Sequence, residues 1–160
     1  MEARLAPLYE MFKINSRLYL NCLEGMDENQ AAWRPSDQTN SAGYIALHLV
    51  DSRYLMAKMI GMGNENPFAG RAKQARESGM SNLPSLDELR GAWKGITGEL
   101  RVKFGAMTDQ DLRMDTGSQL PVDDKSVLGI LSFLLQHDSY HIGQLGLLRK
   151  QAGLTAMSYR

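Results

Sequence analysis

Cysteine is almost missing from this chain: Cys22 is the single thiol in 160 residues, which excludes an internal disulfide framework and any cysteine-rich zinc module. Net charge is missing too, because 18 Lys and Arg balance 18 Asp and Glu. A nucleic-acid partner normally demands a basic excess, so none is expected. No apolar run approaches the roughly 20 residues needed to cross a bilayer. The longest, Val127 to Leu135, is interrupted by Gly129 and Ser132. The opening MEARLAPLYEMFK is too charged for the apolar core of a signal peptide. These absences lead us to expect a cytoplasmic protein with no membrane partner. Proline is scarce, at positions 7, 35, 67, 84 and 121. Since proline is costly inside a helix, the long intervals between are where helices can run. No G-x-S-x-G, phosphate-binding loop or dinucleotide fingerprint is present. Histidine is scarce as well, with three in all.

What remains is a composition of 43% hydrophobic and 22% charged residues, near the globular average and of a length suited to one domain spanning 1–160. Four proline-free intervals carry apolar residues at helical spacing, and strict alternation persists nowhere, so the fold class read is all-α. The first helix is expected over about Glu2 to Glu24, with Leu5, Leu8, Phe12, Tyr19 and Cys22 on one stripe and Asn15 a polar break within it. The second starts after Asn40-Ser41, both good N-cap residues, and stops near Gly61 and Gly63. The third opens on Ser85-Leu86-Asp87-Glu88, which reads as a capping box. Gly91, Gly95, Gly98 and Gly105 weaken it at about 1 kcal/mol each relative to Ala. Either burial overrides that cost, or small residues are wanted where another helix comes close. The fourth is expected from Asp123-Asp124, whose charges suit the positive end of a helix dipole, to a Gly153 C-cap. A short turn is expected within residues 107–123, around MTDQDLRM. Four amphipathic helices predict a four-helix bundle, and the long connection over about 62–84 allows a crossover topology.

All three histidines fall on these helices: His48 on the second, His137 and His141 on the fourth. His137 and His141 are i and i+4, so both rings leave one face a single turn apart and can share a metal ion. His48 sits among Ile45, Leu49 and Ser52, and His141 shares a stripe with Leu134, Leu145 and Leu148. Imidazoles aimed at a bundle interior need partners. One divalent metal bound by three neutral histidines, with water in an open position, satisfies them together. The alternative is that each ring bonds separately to a carbonyl or hydroxyl.

HDSYHIGQLGLLRKQAGL, residues 137 to 154, resembles the last helix of the DinB/YfiT-like superfamily of metal-dependent enzymes. NSAGYIALHLVDSRYLMAKMIG, residues 40 to 61, is similar to that family's second helix, and Trp33-Arg34-Pro35 to the segment before it. The resemblance implies a four-helix bundle in up-down-down-up order. It also implies a divalent metal, commonly zinc or nickel, on His48, His137 and His141, and a homodimer. Some relatives transfer or rearrange low-molecular-weight thiol adducts, and others are treated as hydrolases. The partner implied is therefore a small-molecule substrate such as a thiol or thiol adduct. An alternative function is a non-catalytic, metal-binding stress-response dimer.

Further candidates surround the histidines. Gln144, one turn beyond His141, matches the family's glutamine and is read as orienting a bound water or a ring, or else as bonding across the bundle. Asp51, three residues after His48, is read as approaching the metal or fixing a ring tautomer, or else as a surface charge or helix–helix partner. Tyr44 either lines the pocket mouth or packs. Asp138 and Tyr140 point about 100° from the adjacent histidines and are expected to pack or to face water. Cys22, on an apolar stripe, is expected to be buried and inert. The ten methionines read as core filler.

Overall fold

The computed structural model describes residues 1–80 and 82–159. Among them are seven α-helices and no strand. Four are long: α1 over Ala6–Leu23, α3 over Ala42–Met59, α5 over Leu86–Ala106 and α7 over Val127–Gln151. Three are short: α2 over Glu28–Ala32, α4 over Arg71–Glu77 and α6 over Asp109–Arg113.

Most helix ends follow the local chemistry of the sequence. The Ser41 hydroxyl accepts from the Tyr44 amide at 3.2 Å and opens α3. Ser85 and Glu88 form the expected box: the Glu88 amide donates to Ser85 Oγ at 3.3 Å and the Ser85 amide to Glu88 Oε2 at 2.8 Å. After α7, Gly153 adopts φ +85° while the Leu154 amide reaches Arg149 O and the Gly153 amide reaches Lys150 O. That pair of bonds is the Schellman arrangement, which satisfies carbonyls the helix leaves free. The MTDQDLRM turn is α6, capped by Thr108.

One expectation needs correction, and one pair of alternatives is resolved. Helix α7 begins at Val127 with Ser126 as N-cap, not at Asp123-Asp124. The chain there is held extended by an isolated bridge between Asp115 and Ser126, and the Val127 amide is spent on Met114 O. Gly129 is needed by this arrangement, since a Cβ would lie 2.2 Å from Asp124 O. The glycines of α5 are not places of close helix approach, because a Cβ at Gly91, Gly95, Gly98 or Gly105 would meet nothing within 4 Å. Buried Leu86, Leu89, Trp93, Ile96, Leu100 and Phe104 hold the helix instead. The short helices α2 and α4 were not foreseen.

Helix α1 packs on α7 and α5, and α3 packs on the same two. Their side chains build two apolar clusters. One includes Tyr19, Leu47, Trp93, Ile142 and Leu145, and the other includes Phe12, Met56, Leu100, Phe104 and Leu131. A layer of polar groups separates them. Asn15, the break in the first stripe, is 3% exposed and donates to Leu135 O and Ser139 Oγ, both at 3.0 Å. Trp93 Nε1 donates to Ser16 O at 3.0 Å.

Arg53 of α3 is the centre of this layer. It is wholly buried, and its guanidinium lies between the Phe12 ring of α1, at 4.4 Å, and the Trp93 ring of α5, at 4.3 Å. Its Nε is 2.8 Å from Oδ2 of Asp138 on α7, which is wholly buried too. One side chain thereby joins all four long helices. Removing one member of such a pair leaves an uncompensated buried charge, which costs about 3–5 kcal/mol. Asp138→Ala is accordingly expected to lower the unfolding free energy by that amount in urea titration, whereas Arg53→Met combined with Asp138→Leu recovers most of it. Loss of less than about 1 kcal/mol in the single variant would contradict the assignment.

Candidate metal centre

Residues 48–53 of α3 lie against residues 137–141 of α7, and the three histidines meet at that seam. His48 and His137 bring their Nε2 atoms to 3.1 Å, and ring centroids are 4.5–4.9 Å apart across the three pairs. One ligand nitrogen from each ring lies within 4.8 Å of the other two. All three side chains are half-buried.

Neighbouring groups orient two of the rings. Gln144 Nε2 donates to Tyr140 Oη at 3.1 Å, which turns Oε1 toward His141 Nδ1 at 2.7 Å. An amide oxygen can only accept, so the proton belongs on Nδ1 of His141, leaving the Nε2 lone pair free. Ser52 repeats the logic at greater length. Its hydroxyl donates to Asp138 Oδ1 at 3.1 Å, so its oxygen faces His137 Nδ1, 3.5 Å away, as acceptor. Both networks favour the tautomer whose Nε2 lone pair faces the cluster, where His137 Nε2 already meets His48 Nε2.

Electrostatics agree with neutral imidazoles. Burial, then the neighbouring His141, His137 and Arg76, push His48 down to about 4. Burial and His141 lower His137 as well. At neutral pH these rings therefore carry lone pairs rather than positive charge. Tetrahedral zinc with bonds of about 2.0–2.1 Å sets its nitrogen ligands roughly 3.3 Å apart. The 3.1 Å approach of His48 and His137 is close to that spacing. The three-histidine cluster fits a divalent metal site.

His48 and His137 also line a cavity of about 720 Å³ between α3, α7 and the loops after α3 and before α7. Asp51 is on its wall, half-buried, with its carboxylate accepting from the Asn66 side-chain amide. Burial raises its pKa and the Asn66 bond opposes that rise. Tyr44 is packed, 2% exposed, with its hydroxyl accepting from Arg76 of α4 and its ring parallel to that of His48 at 6.4 Å. Cys22 is buried away from the cluster, and burial pushes its thiol up to about 11. Tyr140 is exposed, and Asp138 packs against Arg53. Sequence reasoning missed the Ser52–Asp138–Arg53 chain behind His137. The available signal was an acid inside an apolar helix, matched by a base five residues after His48.

These features define an all-helical protein with a three-imidazole cluster opening on a cavity. The chain matches the model of the DinB superfamily over residues 11–145 and belongs to that superfamily. A crystallised DinB-like protein from Bacillus subtilis, YjoA, shares the fold with a TM-score of 0.62 at 16% identity, over 97% of this chain and 95% of that one. No curated protein matches the chain.

Gln144→Ala and Ser52→Ala are each expected to weaken divalent-metal affinity about 10–100-fold while helicity is unchanged. Titration calorimetry checks this, and unchanged affinity in both variants would mean that packing alone holds the rings.

Proposed function

We propose that this protein is a metal-dependent enzyme that holds one divalent ion, zinc or nickel, on His48, His137 and His141. It acts as a hydrolase or low-molecular-weight-thiol transferase on a small molecule. The observation that carries the reading is that His48 and His137 both line the cavity beside them. A purely bracing ion between α3 and α7 would have no need of that opening. A bound divalent ion lowers the pKa of water or of a substrate thiol and polarises the bond being broken. Asp51 is the acid–base candidate on the same wall, since its burial-raised pKa brings it closer to the range useful for proton transfer. Gln144 and Ser52 act as positioning residues, through His141 and His137 respectively.

The reading includes a four-helix bundle in up-down-down-up order. The order of contacts supports it. Residues 15 and 22 of α1 bond to 135 and 142 of α7, so those two helices run in the same sense. His48 and Ser52 of α3 meet His141 and Asp138 of α7, in descending order, and Phe12 and Tyr19 of α1 meet Phe104 and Trp93 of α5. Both of these pairs run in opposite senses.

Purified protein is expected to carry about one divalent metal per chain by elemental analysis, and His137→Ala to lose it. A panel of thiol-adduct and ester substrates should then show turnover that chelation abolishes and metal restores. Absence of stoichiometric metal in the unaltered protein would overturn the site. Metal without turnover on the panel would overturn the enzyme reading in favour of a non-catalytic metal-binding protein.

A further inference from the structure

The cavity is graded in polarity along its length, and the gradient describes a ligand. Along α3 its wall is built by His48, Asp51, Ser52, Tyr54, Leu55 and Lys58, one side of the helix. Lys58 follows His48 by ten residues, which sets its Cα about 15 Å farther along the helix axis. Between these ends the facing surface is apolar: Leu55 of α3, Phe133 and Leu134 of α7, Met62 and Leu120 from the loops.

The charges sit at opposite ends. Asp51 is one turn from His48, and Lys58 is two turns beyond Asp51. The two amides on the wall are already engaged, Asn66 with Asp51 and Asn64 with Glu99. The Lys58 side chain makes no hydrogen bond or ion pair among the described residues, and among them it is the only Lys or Arg lining the cavity.

We propose that the cavity takes an elongated small molecule whose reactive group lies at the histidines, whose body is apolar, and whose far end is an anionic group held by Lys58. This rests on the metal-dependent reading above for the reactive end only. A carboxylate fits the Lys58 end and a metal-binding group fits the histidine end, so a molecule carrying both has one favoured direction. The apolar wall supplies affinity through burial, and the ion pair at the open end supplies orientation. The carboxylate end is recognised by charge at a partly exposed site, so its contribution is modest and weakens with salt.

The probes are two hydroxamates of equal chain length: suberic acid monohydroxamate, with a free carboxylate, and octanohydroxamic acid, with a methyl group in its place. The hydroxamate engages a metal and the other end differs only in charge. In zinc-loaded protein at low ionic strength, the carboxylate compound is expected to bind about three- to tenfold more tightly. Lys58→Gln should bring it down to the affinity of the methyl-ended compound, with that compound and the helicity unchanged. Equal affinities in the unaltered protein, tighter binding of the methyl-ended compound, or a preference that survives Lys58→Gln would each overturn the proposal. The same comparison in chelator-stripped protein separates the two readings. Loss of metal dependence for both hydroxamates counts against the metal site, whereas the Lys58-dependent difference is read in either state.

Discussion

The arrangement depends on one buried charge. Arg53 leaves α3 at the level where two apolar clusters meet, and its guanidinium contacts α1, α5 and α7 at once. Hydrocarbon surfaces tolerate more than one packing register, because burial is non-directional. A guanidinium between two rings and a carboxylate does not. Sliding α3 against α7 by a turn would strand both charges in a dry interior, at a cost of several kcal/mol. The pair is weak as a net stabiliser and strong as a constraint on register.

That constraint is what assembles the histidines. Asp138 adjoins His137 in sequence, and Arg53 adjoins Ser52, so the same contact that aligns the helices sets Ser52 behind the His137 ring. With α3 and α7 in this register, His48 falls opposite the i, i+4 pair and the three ligand nitrogens converge. Gln144 completes the orientation from within α7. Asp138 is half buttress and half second partner: one oxygen faces Arg53, the other accepts from Ser52. Structure and site are therefore coupled through a single carboxylate.

The long helices were legible because their signals are local. Ser41, Ser85 and Gly153 sit at the ends that they terminate, and apolar spacing marks the faces between. The i, i+4 histidines were legible for the same reason, and His48 followed from its apolar surroundings and the family's motif. Helices α2 and α4, of five and seven residues, are too short to display a period. The start of α7 depends on a bridge between residues eleven apart, which no capping rule contains. The glycines of α5 face open space, so their meaning could not come from composition. For Asp138 the sequence shows only its angle from the histidines along one helix. Its partner is on another helix, and a buried ion pair becomes visible only once both are placed.

In the proposed site three imidazoles, and no fourth protein side chain, bind one divalent ion beside the cavity. X-ray absorption fine structure of the zinc-loaded protein tests it most directly. About three imidazole nitrogens with bonds of roughly 2.0–2.1 Å, together with a solvent oxygen, are expected. A sulfur ligand, a shell closed by four protein side chains, or fewer than three imidazoles would contradict it.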